Sequence, residues 1–101
     1  MPYAPLLAET EIDAALGERP AWRREGAELV REVRCPSFMD AIRLVNQVAE
    51  AAEGADHHPD IDIRWRRVTF RLTTKAAGGL TERDLGMVAA IDSLVPAEWP
   101  D

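Results

Sequence analysis

From residue 38 to residue 52 apolar side chains return every three or four positions: Phe38, Ala41, Ile42, Val45, Val48, Ala49 and Ala52. That spacing draws one apolar face on a helix, with Arg43, Asn46, Gln47, Glu50 and Glu53 on the other side. Gly54 is placed to end the helix. Further on the period changes to two. Val68, Phe70 and Leu72 alternate with Thr69, Arg71 and Thr73, and Ile61, Ile63 and Trp65 alternate with Asp62 and Arg64, as on strands with one buried face. Arg66-Arg67 sits where a tight turn would join these two strands. Leu29, Val33 and Cys35 alternate with Val30, Glu32 and Arg34, although Arg31 interrupts the apolar side. A weaker signal places one more strand around Trp22, before Gly26. A second amphipathic helix is predicted from Thr81 to Val95 on Leu85, Val88, Ile91 and Val95, stopped by Pro96. A short one runs from Thr10 to Leu16, stopped by Gly17 and Pro20.

All three helices are expected to start in the same way. Thr10, Ser37 and Thr81 stand at N-cap positions with Asp13, Asp40 and Asp84 three residues on. A hydroxyl there satisfies a free backbone N–H, and the carboxylate suits the positive helix end. The predicted order is α-β-β-α-β-β-α. The economical packing is an α+β sandwich, a four-stranded antiparallel sheet with three helices on one face. With 101 residues there is one core and one domain, residues 1–101, with 96–101 a loose tail.

Composition narrows the function. The chain is 47% hydrophobic and 30% charged with a net charge of −6, which suits a folded domain and opposes nucleic-acid binding. Arg64-Trp65-Arg66-Arg67 is the one basic cluster with an aromatic in it. Cys35 is the single cysteine, so no intrachain disulfide is available and a reducing, cytoplasmic setting is expected. No apolar run reaches the roughly 20 residues of a membrane span. The opening MPYAPLLAETEIDAAL has no basic stretch leading into a long apolar one, so no leader peptide is expected.

Both histidines, His57 and His58, stand together in Asp56-His57-His58-Pro59. Three readings compete. The plainest is a polar loop leaving the long helix, stiffened by Pro59. A metal site is the second, drawing on Asp56, Asp60 and Asp62; adjacent histidines point apart, and neither an i,i+4 histidine pair nor a cysteine ligand stands beside them. The third is acid–base catalysis, since imidazole titrates near neutral pH and Glu53 lies one helical turn before His57.

The stretch AEGADHHPDIDIRWRRVTFRLTT, followed by GGLTERDLGMVAAID, resembles the pterin-4a-carbinolamine dehydratases, also called 4a-hydroxytetrahydrobiopterin dehydratases. The resemblance extends to LAETEIDAAL, Trp22 and CPSFMDAIRLVNQVAE, and so covers nearly the whole chain. The family's spaced motif falls on Glu53, His57, His58, Pro59, Trp65 and Asp84. The resemblance implies dehydration of a 4a-hydroxytetrahydropterin to the quinonoid dihydropterin within tetrahydrobiopterin recycling, with no metal and no redox cofactor. It implies that His57 is an acid–base group and that His58 holds the pterin or shares the proton transfer. Asp56, Thr73 and Thr74 would line the pocket, and Glu53, Pro59, Trp65 and Asp84 would support it.

One motif position departs from the family. Nine residues intervene between Trp65 and Lys75, which stands where active relatives usually carry histidine, and Ala76 follows it. An ordinary lysine is a cation at neutral pH, suited to donating a hydrogen bond to a departing hydroxyl. The lysine also opens an alternative: a family member acting as a protein-binding dimerisation or assembly cofactor. Besides a pterin, the partner implied by the resemblance is a second copy, as a homodimer joined edge to edge through its sheets, or a homotetramer. Open sheet edges and a short chain supply a physical motive for pairing. Neither nucleic acid nor membrane is an expected partner.

Overall fold

The structure is a computed structural model and describes residues 4–99. The elements are α1 (Glu9–Gly17), β1 (Arg23–Glu25), β2 (Glu28–Arg34), α2 (Phe38–Ala55), β3 (Asp60–Arg64), β4 (Arg67–Leu72) and α3 (Glu82–Leu94), with one 3-10 turn at Lys75–Ala77. This is the predicted α-β-β-α-β-β-α order. The sheet order is β1-β2-β4-β3, every neighbouring pair antiparallel.

Two of the three predicted caps form. Ser37 Oγ accepts from the Asp40 backbone N–H at 3.1 Å, and Thr81 Oγ1 accepts from the Arg83 N–H at 3.2 Å. Thr10 does not cap α1. The helix begins earlier, with Ala8 at the N-cap, because the Glu11 carboxylate reaches back to the Ala8 N–H at 2.9 Å and so supplies an acceptor that alanine lacks. Gly54 does not end α2 either. The helix continues to Ala55, and Asp56 turns into the left-handed region at φ 50°. Its N–H bonds Glu53 O while the His57 N–H bonds Ala52 O, the paired closure of a Schellman motif.

The strand pattern sorts the core. Leu29 opposes Leu72, Val33 opposes Val68, and Ile61 opposes Phe70, all on the face covered by helices. β2 ends at Arg34 and β3 at Arg64, so Cys35 and Trp65 fall just outside their predicted strands. The β3–β4 turn is Trp65-Arg66 rather than Arg66-Arg67, closed by the pair Arg64–Arg67, with Trp65 at φ 54°. On α2 the buried stripe is Ala41, Leu44, Val48 and Ala52. Ile42 and Val45 are half-buried, and Phe38 and Ala49 face outward; the apolar surface is wider than the sheet can cover. The C-terminal segment is held in part, since Trp99 packs against the core and its N–H bonds Pro96 O at 3.1 Å. Among the described residues no helix is long and apolar enough to cross a membrane.

Arg31 faces the helices, opposite Phe70. Its guanidinium pairs with Asp92 of α3, which also accepts from Trp22 Nε1 at 2.8 Å and from Arg19 Nη1 at 3.4 Å. One carboxylate thus ties α3 to β2 and to the segment between α1 and β1. A buried guanidinium needs such a partner, because losing it leaves an uncompensated charge. Asp92→Ala is therefore expected to destabilise the fold by about 3 kcal/mol, with Asp92→Asn costing less because an acceptor for Trp22 survives. Urea unfolding midpoints check this; a midpoint for Asp92→Ala equal to that of the parent would remove the role.

The other face of the sheet carries charge. Arg71 Nη1 donates to Glu25 Oε1 at 2.8 Å and to Glu28 Oε1 at 3.3 Å. The hydrogen bond from Arg71, followed by that from Arg23, holds the Glu25 carboxyl below the ordinary 4.5. A depressed carboxyl stabilises the fold above its unfolded value and loses that contribution as pH falls through its folded value. Glu25 is expected to titrate below 4.5, and Arg71→Gln to raise its midpoint. A carboxyl-resolved NMR titration reads both.

Candidate active site

The site is assembled around a carboxylate with no exposed surface, Asp84 in the first turn of α3. Such a group stays inside only when its lone pairs are filled. Asp84 Oδ2 accepts from the Thr81 backbone N–H at 2.9 Å and from Thr74 Oγ1 at 2.8 Å. With the Thr74 proton committed there, Thr81 donates its own hydroxyl proton to Thr74 Oγ1 across 2.8 Å. The positive end of α3 favours the negative charge at this point.

The remaining oxygen, Asp84 Oδ1, lies 2.6 Å from His57 Nε2. A carboxylate only accepts, so Nε2 carries the hydrogen and donates, leaving Nδ1 as the ring nitrogen free for other chemistry. His57 is itself 8% exposed. Its ring direction and tautomer are both set by one buried partner, the arrangement in which a carboxylate orients an imidazole for proton transfer. His58 behaves differently. It is exposed, and its Nε2 lies 2.5 Å from Glu53 Oε2, one turn back on α2.

The loop that presents both histidines is fixed from two sides. Asp56 closes α2 in the left-handed conformation, and Arg83 Nη2 donates to the carbonyl oxygens of Asp56 at 3.0 Å and Ala55 at 3.5 Å. Arg83 and Asp84 are consecutive, so one turn of α3 holds both the loop backbone and the His57 ring. Facing them, β4 runs out through Thr73 to Thr74. Thr74 and Gly79 then exchange backbone bonds at 3.0 and 3.3 Å, closing the turn that contains Lys75.

An open cleft of about 370 Å³ lies between these parts, lined by Asp56, His57, His58, Pro59, Asp60, Arg71, Thr73, Thr74, Lys75, Ala76 and Arg83. Asp56, His57, His58, Pro59, Thr73, Thr74 and Lys75 are therefore gathered at one cleft. Lys75 is exposed on the 3-10 turn rather than at a strand end. Asp84 and Glu53 stand behind the two histidines. Trp65 is not brought in: it sits in the hairpin turn at the opposite end of β3, 71% exposed. Asp60, considered from sequence only as a metal ligand, lines the cleft too, and Arg71 and Arg83 also line it and escaped sequence reasoning. Arg83, beside the Asp84 of a predicted first helical turn, was the one with a usable signal.

The cleft thus gathers polar groups and an imidazole oriented by a buried carboxylate around one open space. The family profile described as Pterin 4 alpha carbinolamine dehydratase matches residues 5–94. A protein of Nocardia farcinica, provisionally named a pterin-4-alpha-carbinolamine dehydratase, is 56% identical over 89 residues, covering 88% of this chain and 94% of its own. A Mycobacterium tuberculosis protein with the same provisional name is 49% identical over 92 residues, covering 91% and 98%. Among solved structures, a transcriptional coactivator/pterin dehydratase from Brucella melitensis superposes with a TM-score of 0.86 at 28% identity, covering 90% of this chain and 99% of that one. A pterin dehydratase-like protein identified as a RuBisCO assembly factor in the alpha-carboxysome shares the fold, with a TM-score of 0.63 at 22% identity over 73% of this chain and 88% of that one. By sequence and by fold, the chain belongs to the pterin-4-alpha-carbinolamine dehydratase family.

Proposed function

We propose that the protein dehydrates a 4a-hydroxytetrahydropterin to the quinonoid dihydropterin and water, in the recycling of tetrahydrobiopterin. The observation that carries this reading is the His57–Asp84 contact of 2.6 Å at the wall of a cleft of about 370 Å³. The reaction breaks the C4a–O bond, removes the proton on N5 and releases the hydroxyl as water. An imidazole oriented through one nitrogen has the other free to take the N5 proton as the C–O bond opens. The hydroxyl needs a proton at the same time, and His58 and Lys75 both line the cleft with protons to give. Asp56, Thr73 and Thr74 offer polar groups to the pterin edge. The reading needs neither a metal nor a redox cofactor, because the net change is loss of water.

A cytoplasmic location suits this activity, and the single thiol fits it: Cys35 is buried, and burial pushes its pKa up, which keeps it unreactive.

The reading is tested by the rate at which freshly generated 4a-hydroxytetrahydropterin is dehydrated. His57→Ala is expected to lose about 10²–10⁴-fold, the usual worth of a positioned acid–base group. Lys75→His is expected to keep or raise the rate. A parent no faster than the spontaneous reaction, with recovery in Lys75→His, would favour the second reading, a protein-binding or assembly role. The specific observation behind that reading is Lys75 at the family's histidine position. A His57→Ala variant as fast as the parent would overturn the catalytic assignment outright.

A further inference from the structure

The outer face of the sheet bears on the cleft. Asp60 and Arg71 stand opposite each other there, and both line the cleft. Beyond Arg71 lies a second cavity of about 220 Å³, lined by Arg71 again and by Arg23, Glu32, Asp62, Arg64, Arg67 and Thr69. Its walls follow the register of the strands. The first outward-facing row beyond Arg71 is Glu32, Thr69 and Asp62, and the next is Arg34, Arg67 and Arg64. Successive outward rows are two residues of strand apart, about 7 Å. A strip of acceptors is thus followed, about 14 Å from Arg71, by a strip of cations.

These cations are not neutralised in place. Like charges directly opposite destabilise a sheet, yet Arg67 has an arginine on either side, Arg34 and Arg64. Arg34 and Arg67 stand outside the ion pairs formed among the described residues. Arg64 gives its Nε to Asp62 at 3.2 Å, and its two terminal nitrogens remain uncommitted. Arg23 and Arg71 are held by Glu25, outside this cavity. The chain as a whole carries a net charge of −6, so the arginine row is a local reversal of sign. Neighbouring guanidiniums suit a phosphate or a carboxylate, which each planar fork can hold by two bonds.

We propose that the second cavity receives the C6 side chain of the pterin, and that the preferred substrate ends this side chain in an anion, a phosphate or a carboxylate. The proposal rests on reading the cleft as a pterin site. C6 is bonded to N5, the atom assigned to His57, so the side chain starts beside the point of proton exchange. The other cations of the cleft have work of their own. Arg83 donates to the Asp56 and Ala55 carbonyls, and Lys75 serves the departing hydroxyl in that reading. Across Arg71, hydroxyls along the side chain meet Glu32, Thr69 and Asp62, and an anion beyond them meets Arg64 and Arg67. Glu32 and Asp62 repel an anion that stops short and accept from hydroxyls that pass them. A neutral dihydroxypropyl chain, as in biopterin, reaches the acceptors and leaves the arginines unpaired.

The experiment compares three stable pterins by calorimetric titration into the parent and into Arg67→Gln. They are 7,8-dihydrobiopterin with its neutral side chain, 7,8-dihydroneopterin triphosphate with phosphates, and 7,8-dihydrofolate with carboxylates. The parent is expected to bind at least one anionic pterin about tenfold more tightly than dihydrobiopterin, and which one does so names the source of the anion. That advantage is expected to shrink as salt is raised. Arg67→Gln is expected to lose it while binding dihydrobiopterin as the parent does, with far-UV circular dichroism as the check on folding. Equal affinity of the parent for all three pterins overturns the proposal. So does an advantage that survives in folded Arg67→Gln, which would place the anion on Lys75 or Arg83 instead. Should that variant fail to fold, a salt-independent advantage in the parent overturns it as well. A parent that binds dihydrobiopterin without preference leaves the functional reading standing and removes only this proposal. A parent that binds none of the three overturns both.

Discussion

A fully buried carboxylate constrains everything around it. Asp84 has no exposed surface, so every acceptor site it presents must meet a donor, and each donor comes from a different part of the chain. Thr81 is the cap of the same helix, Thr74 ends the run out of β4, and His57 follows α2. Satisfying one charge therefore fixes the spacing of three segments. The threonines are bound in sequence, from the Arg83 N–H through Thr81 to Thr74 and on to Asp84, so neither hydroxyl can be exchanged for a methyl without leaving a buried group unpaired. The chemistry assigned to His57 is a consequence of this packing. The imidazole is oriented because the carboxylate behind it had one oxygen left to fill.

The same helix repeats the device eight residues on. Asp92 lies two turns beyond Asp84, on the same side of α3, and gathers Arg31, Trp22 and Arg19. One end of α3 thus organises the cleft, and the other fastens the β1 side of the sheet. Arg31, an interruption when β2 is taken as a strand alone, is the natural partner of a carboxylate on the helix that crosses it. The exposed arginines of the outer face are different in kind. Water screens them, and exposed ion pairs are worth little each, so Arg71 with Glu25 and Glu28 contributes chiefly to order between β4 and the β1–β2 hairpin.

Legibility followed range. Ser37 and Thr81 were readable as caps because a cap bonds within three residues, and β4 because alternation is a property of neighbours. Errors of one or two positions came where two local solutions compete. Asp56 can enter the left-handed region, at a cost that Gly54 would not bear, and a turn at Trp65-Arg66 differs from one at Arg66-Arg67 by a single register step. Phe38 was misassigned because α2 is apolar over a wider arc than the sheet covers. The Asp92 cluster left no local trace, since its partners are separated from it by 61 to 73 residues. At the site, the motif residues that bracket α2's end were found together, whereas Arg71 and Arg83 reach the cleft only through tertiary geometry.

Lys75 shows how position and chemistry separate. The turn that carries it is closed by backbone bonds between Thr74 and Gly79 and by the left-handed Gly78 at φ 79°, none of which depends on the side chain at 75. A left-handed position favours glycine whatever stands three residues before it. The scaffold therefore delivers its residue 75 to the cleft whether that residue is an imidazole or an amine. What changes is the kind of group delivered. Histidine can give and take a proton near neutral pH, whereas lysine offers a fixed charge and three donors on a flexible stem. Under the proposed function, the substitution places proton exchange on His57, whose ring is oriented through Asp84, and gives Lys75 the narrower role of donating to the departing hydroxyl.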